Sequence, residues 1–365
     1  MSEAWHKLAS AATLMQRALT ESTGLRDLQQ KLVTYWALAT HSLPSLDTFP
    51  LLVVQGKMGT GKSQALSVIG NFARRPMAMS LRSMTTPTIR DKFAECHNGT
   101  AIVEEADFAW RDDAGTTFER MLSDRYQRAS SKESHKVQSG ENKWNAVERQ
   151  FFGATALHRR IPFKDSALDG RTVTAMTRPD YTRQYREFRT EDTWNAEGKR
   201  LLGGVIFELP DIEQPQGVAG RVFATYKPLL GAAKVCGHQD FADQLLIKLL
   251  QRTLELKEAQ SSEPDGLVLQ AIVGAVFESG NPKFQYVKFS GLSESIWKNH
   301  RFSLTPRQIG PIARDLGFAT KTSHGATVVV PTPATLLRAC DECDYTDEAV
   351  EEFRRTALGS MDGGK

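Results

Sequence analysis

The chain has 365 residues, 40% of them hydrophobic and 24% charged, which is enough apolar material for packed cores and too ordinary for a disordered protein. At roughly 100–200 residues per domain, that length predicts two or three domains. Lys and Arg number 46 against 43 Asp and Glu, and the net charge of +3 excludes a uniformly basic packaging protein while leaving local patches open.

In chain order, residues 3–20 and 24–41 carry apolar side chains at helical spacing, Leu14, Ala18, Leu28, Leu32 and Tyr35 among them. No run reaches the ~18 apolar residues of a membrane helix, and the first twenty residues lack a signal peptide's apolar centre, so a cytoplasmic setting without a membrane is expected. Pro50 opens a short apolar run at 51–54 that predicts a buried strand, followed by a glycine-rich turn and a helix over 62–72. Further strands are predicted at 101–103, at 150–155 and at 204–207. Strands alternating with helices predict an α/β fold with a mainly parallel sheet. Residues 218–258 read as helical and 261–266 as a linker. Helices at 267–278, 292–299 and 306–316, then a hairpin around Ser323-His324-Gly325, have the order of a C-terminal winged-helix domain. The expected organisation is a helical segment at 1–48, an α/β core at 49–210, a helical lid or linker at 211–262, the winged helix at 263–345 and a tail at 346–365. Cys340 and Cys343 form a lone CxxC, read as two cysteines one turn apart on a helix rather than as a metal site.

Residues 56–63 read GKMGTGKS, a full match to the phosphate-binding loop GxxxxGK[ST], placed after a predicted strand and before a predicted helix. Gly56, Gly59 and Gly61 let the backbone of Gly56, Lys57, Met58, Gly59, Thr60 and Gly61 turn its N–H groups inward around phosphate oxygens. The following helix start at Lys62, Ser63 and Gln64 adds its partial positive charge. Lys62 is expected to reach the β- and γ-phosphates of ATP, and Ser63 to ligate Mg²⁺. The strand at 101–103 ends in Glu104 and Glu105. This pair suits a metal-holding acid followed by a general base that polarises the attacking water, and the bland alternative is a solvated acidic loop. Thr155, at the predicted end of the third strand with His158, Arg159 and Arg160 just beyond, is either a γ-phosphate sensor or a plain strand-end hydroxyl. Arg171 is either an arginine finger acting on a neighbouring subunit's nucleotide or half of a surface salt bridge.

GKMGTGKS, then AIVEE, then FFGATALHRRIPFKDSALDGR, resembles the order of AAA+-type P-loop ATPases, and more narrowly the superfamily 3-like helicase ATPases of phages, plasmids and integrated elements. The segment VFATYKPLLGAAKVCG is similar to the helical lid of that group. The resemblance covers about residues 20–255. It implies a P-loop core with a lid and a homo-oligomeric ring, a hexamer, with ATP between subunits. Its metal and base acids would be Glu104 and Glu105, its sensor Thr155 and its finger Arg171. Relatives often carry Asn at the sensor, so Thr155 is a departure.

Between 120 and 164 the ten Lys and Arg outweigh four acids, a local +6, and much of the segment is polar and turn-rich. It reads as a projecting hairpin that either lines a ring's pore and grips single-stranded DNA through Lys132, His135, Lys136 and Lys143, or is a solvated surface hairpin. Residues 281–330 carry a local +5. There a helix beginning at Pro306 would present Arg307 and Arg314 to duplex DNA, with Arg301 and Lys321 on phosphates, although winged helices also serve as protein–protein modules. The function this predicts is Mg²⁺-dependent ATP hydrolysis coupled to DNA by a replicative helicase of a mobile element. The alternatives are a DNA-bound ATPase that does not unwind, such as a loader, transposition regulator or defence motor, and a signalling switch.

Overall fold

A computed structural model describes residues 3–81, 84–104, 106, 113–140, 143–159, 163, 166–179, 193–278, 282–323, 326–343, 345 and 347–362. The chain divides into two compact units, residues 1–250 and 251–365.

The first unit opens with helices α1 (Glu3–Ser22) and α2 (Asp27–Ala39), followed by a 3-10 turn at Thr40–Ser45. Strand β1 (Leu51–Gln55) leads through the glycine-rich loop into α3 (Lys62–Phe72). Next come β2 (Pro76–Ser80), α4 (Thr86–Glu95), β3 (Thr100–Glu104) and α5 (Asp113–Tyr126). A hairpin of β4 (Lys132–Gly140) and β5 (Lys143–Gln150) precedes β6 (Ala154–Arg159), a single helical turn α6 (Ser166–Asp169) and β7 (Thr172–Met176). Helices α7 (Thr193–Leu202), α8 (Gly220–Val235) and α9 (Gln239–Ser262) follow.

Five strands form one parallel sheet in the order β2-β3-β6-β1-β7. Met79, Val103, Leu157, Val53 and Thr174 stand level across it as one row. On that face Met79, Val103, Leu157 and Val53 join Ile89, Phe93, Phe118 and Leu122 in a core cluster, so α4 and α5 cover it. Each such fully buried apolar side chain contributes about 1.5–3 kcal/mol. Strand side chains alternate, so Leu52, Val54, Ile102 and Ala156 point to the opposite face, and α3 lies there, its Gly70 beside Ile102. In a parallel sheet every strand ends at the same edge. That edge therefore holds Gln55, Ser80, Glu104, Arg159 and Met176, together with the loop that leaves β1.

Three sequence expectations change. The apolar run at 150–155 is not one strand. Gly153 has no room for a side chain, since a Cβ would sit 2.6 Å from Arg125 Nη2 and 2.7 Å from the Gly99 carbonyl, and the chain turns there so that sheet pairing starts at Ala154. Residues 204–207 form no strand: Gly204 turns at φ 73°, and the Val205 carbonyl faces His41 Nδ1 at 3.1 Å. The expected linker at 261–266 shrinks to Glu263, the N-cap of α10 (Pro264–Phe277), because α9 runs on to Ser262.

The second unit continues with β8 (Val287–Lys288), α11 (Phe289–His300), α12 (Pro306–Asp315), β9 (Ala319–Ser323), β10 (Ala326–Val330), α13 (Pro333–Glu342) and α14 (Glu348–Asp362). The strands form an antiparallel sheet in the order β8-β10-β9. Its core is built from Leu269, Ile272, Leu292, Ile296, Ile309, Phe318 and Val329. Cys340 is buried in α13 and Cys343 is that helix's C-cap, both packed in or against this core as free thiols. Among the described residues no group of side chains could hold a metal ion, and no helix is long and apolar enough to cross a membrane.

Candidate nucleotide-binding site

The loop at 56–61 turns through backbone that only glycine adopts freely. Gly59 has φ 76° and Gly61 φ 83°, and Gly61 is the N-cap of α3. A side chain on Gly61 would press on the Thr23 Cα at 3.0 Å, whereas one on Gly59 would meet nothing within 4 Å. The loop is thus braced on one side and open on the other, where Met58 is 84% exposed.

The brace is specific. The Gly24 N–H donates to the Thr60 carbonyl at 3.3 Å, and the Arg178 N–H donates to the Gly24 carbonyl at 3.1 Å. The buried Thr60 hydroxyl donates to the Lys57 carbonyl at 2.7 Å and meets the Thr177 hydroxyl at 2.6 Å. Thr177 in turn bonds the Gln55 carbonyl through its N–H at 2.8 Å, with its hydroxyl 3.2 Å from the same oxygen. The α1–α2 turn and the end of β7 therefore fix the loop's conformation before any ligand arrives.

The first helical hydrogen bond of α3 runs from the Ala65 N–H to the Gly61 carbonyl at 2.9 Å. The N–H groups of Lys62, Ser63 and Gln64 precede it and stand at the positive end of the helix dipole. Lys62 is 8% exposed, and its ammonium bends back to donate to the Lys57 carbonyl at 2.6 Å. A cation folded back on the loop beside the unbonded first N–H groups of a helix favours an oxyanion there. Ser63 is exposed in the first helical turn.

Glu104 is the exposed last residue of β3. It lies two residues beyond Ile102, so its carboxylate shares the α3 face of the sheet. Only β6 separates β3 from β1, a lateral distance of about 10 Å at the usual strand spacing. Glu105 lies outside the described residues.

Thr155 does not sit where a phosphate sensor would. It is the second residue of β6, at the sheet edge away from the loop, and its hydroxyl accepts from Arg125 Nε at 2.9 Å. Reading the strand four residues too early caused the misplacement. The polar residue at the correct end, on the α3 face and level with Val54, is His158. It stands on the strand between Glu104 and the loop. Counting register from Gly153 would have found it.

Arg171 precedes β7 at the far edge, about 16 Å along the strands from the loop. Its guanidinium donates to Ser123 Oγ and lies 5.1 Å from the Tyr126 ring. It cannot reach its own chain's loop.

The basic stretch at 120–164 is less of a surface than its charge count implied. Arg125 is fully buried and donates to the carbonyls of Phe93 (3.0 Å), Phe151 (2.8 Å) and Ala154 (2.9 Å) besides Thr155. Arg128 holds the carbonyls of Leu43 (2.7 Å) and Leu46 (2.9 Å), Arg149 pairs with Asp91, and Arg159 is buried against the Phe163 ring. These four are engaged within the fold. The hairpin itself forms, with His135 opposite Val147, Lys136 opposite Ala146 and Lys143 opposite Gly140. The side chains of His135, Lys136 and Lys143 lie outside the described residues. Lys132 is at the hairpin's base, 3.2 Å from Glu148.

In the second unit Arg307 and Arg314, seven residues apart on α12, are both exposed, as is Arg301. Lys321 is engaged, its ammonium 3.8 Å from the centre of the Tyr286 ring.

No family model matches the chain. No curated protein matches it either. Among solved structures it is similar to the apo A form of the NrS-1 C-terminal region, residues 305–718, at 14% identity over 90% of this chain and 75% of that one, with a TM-score of 0.34. A second structure of the NrS-1 C-terminal region gives 13% identity over 89% and 74%, with a TM-score of 0.35. The chemistry of the site is therefore read from its own residues.

Proposed function

We propose that the chain is a Mg²⁺-dependent ATPase of the P-loop kind that works on DNA. The observation that carries this reading is the braced loop between β1 and α3, with Lys62 inside it and Glu104 on the same face and edge of the sheet. The residues present fit the ligand. The N–H groups at the start of α3 and Lys62 would hold the β- and γ-phosphates, while Ser63 and Glu104 would supply the hard oxygen ligands that Mg²⁺ takes. When bound, Mg²⁺ would supply positive charge that offsets the negative charge developing on the phosphates. His158, on the intervening strand, is placed to contact the γ-phosphate or the attacking water, the role first assigned to Thr155. Glu105 is the proposed general base.

Arg171 supports assembly. Because it stands at the sheet edge opposite its own loop, it can serve catalysis only on the nucleotide of a neighbouring copy, as in a ring. The order α10, α11, α12, β9, β10 supports reading the second unit as a winged helix, with Arg307 and Arg314 offered to nucleic acid.

The test is ATP turnover with and without single-stranded DNA, for wild type, Arg171→Ala and equimolar mixtures of Arg171→Ala with Lys62→Ala. A trans-acting finger predicts that both variants are inactive alone and that the mixture regains part of the rate. Full turnover by Arg171→Ala alone sinks the ring assignment, and turnover that DNA leaves unchanged sinks the DNA coupling. Strand displacement separates a helicase from a motor that remodels or loads.

A further inference from the structure

The turn between α11 and α12 shows large aromatic surface where a solvated turn has none to spare. Trp297 is 53% exposed and Phe302 41%, while Trp36 of the first unit is fully buried. Between Glu294 and Asp315 there is no acidic residue, and the same stretch holds Lys298, His300, Arg301, Arg307 and Arg314. Arg301, the C-cap of α11, lies three residues beyond Lys298 and four beyond Trp297, the spacings at which side chains neighbour one another along a helix. Glu294 is the first acidic residue before them in the sequence.

The turn is rigid. Leu304 is buried, and its carbonyl accepts from Ser293 Oγ at 2.6 Å. The Arg301 N–H caps α11 on the Trp297 carbonyl at 3.0 Å, and Thr305 and Gln308 form a capping box that starts α12. Arg301 itself takes a left-handed conformation, φ 54°, at a C-cap where glycine would be free of strain. The fold keeps an arginine there at a conformational cost, which is understandable if its side chain has work to do.

We propose that this turn is a stacking site for single-stranded nucleic acid, with Trp297 and Phe302 as platforms for unpaired bases and Lys298 and Arg301 on the phosphates between them. It rests on the nucleic-acid reading above and narrows it. A duplex hides its base faces, so exposed indole and phenyl rings beside cations suit unpaired bases, whereas Arg307 and Arg314 alone would suit a duplex backbone. Stacking is indifferent to base identity, so the site reads strandedness rather than sequence.

The experiment uses the full chain and a fluorescein-labelled oligothymidylate, followed by anisotropy, with a mixed-sequence duplex of equal length as the second probe. Trp297→Ala should weaken oligothymidylate binding about 5- to 150-fold with an unchanged salt slope, and Trp297→Tyr should restore most of it. Arg301→Ala should weaken binding and make the salt slope shallower. Equal losses for oligothymidylate and duplex overturn the stacking site, as does a Trp297→Ala variant that binds normally. So does a variant that changes only the oligomeric state, which would mark the patch as a protein contact. If wild type binds neither probe, the nucleic-acid reading fails with the inference, and ATP turnover still reports separately on the loop.

Discussion

Replacing Thr155 by Val separates a structural role from a catalytic one. Its hydroxyl accepts from the Nε of Arg125, a guanidinium with no exposed surface that also donates to three backbone carbonyls and bonds the Cys96 thiol. Valine keeps the shape and removes one charge-assisted acceptor, which costs about 1.5–3 kcal/mol. At roughly 2–4 °C per kcal/mol for a unit of this size, the melting temperature should fall by roughly 3–12 °C. Turnover per folded molecule, measured well below the transition, should not change, because Thr155 lies at the edge of the sheet away from the loop. The assay is thermal unfolding followed by ATPase at low temperature, with His158→Ala as the complement. That variant should melt close to wild type and turn over far more slowly. If Thr155→Val melted normally and lost turnover, both the placement of the site at the other strand end and the assignment of His158 would be refuted.

Other expectations follow from the same geometry. Thr177→Val removes the hydroxyl that meets Thr60 and should weaken nucleotide binding about 2- to 12-fold in a titration with a fluorescent ATP analogue. Gly56→Ala should do more, since its Cβ would lie 2.1 Å from Thr177 Oγ1 and 2.7 Å from the Thr177 carbonyl; normal affinity in that variant would show the loop to be looser than described. His41 is buried with its Nδ1 and Nε2 facing the carbonyls of Val205 (3.1 Å) and Phe72 (3.0 Å); burial pulls its pKa below the ordinary 6.5, outweighing the upward pull of those carbonyls, and Arg74 lowers it further. The unfolded chain then binds the extra proton more readily, so stability should be full above about pH 6.5 and decline as pH falls toward the lowered folded value. Urea unfolding across that window should show the decline in wild type and a flatter profile in His41→Gln. Burial raises the thiols of Cys236 to about 12 and Cys340 to about 11, so the native chain should resist alkylation near neutral pH at both, with the half-buried Cys343 reacting first by mass mapping.

The sheet's centre was legible because its strands are short, apolar and punctuated. Leu51–Gln55 and Thr100–Glu104 both stop at charged or polar residues, and the glycine loop announces where the helix begins. The edge strand Pro76–Ser80 was missed because it is largely exposed and carries two methionines and a proline rather than β-branched residues. Strand β6 was misread because Phe151 and Phe152 look like strand interior. They pack as loop residues, and only the crowding at Gly153 reveals the break. The charge count at 120–164 misled for a different reason. Composition cannot tell an arginine buried on carbonyls, such as Arg125, from one offered to a phosphate.

The brace around the loop was out of reach of any motif. Thr60 and Thr177 are far apart in sequence, and Gly24 joins them from a third segment. What brings them together is the strand order, which places β7 beside β1. The loop motif names the residues proposed to touch phosphate, and the tertiary fold decides whether they are held ready for it.

Steady-state hydrolysis of ATP with Mg²⁺ by wild type and Lys62→Ala tests the central claim most directly. The ammonium of Lys62 lies inside the loop, and removing such a preorganised group costs about 10²–10³ in rate. Mg²⁺-dependent turnover in wild type, reduced about 100-fold or more in Lys62→Ala, is the predicted result. Equal rates in the two proteins, or turnover indifferent to Mg²⁺, would contradict it.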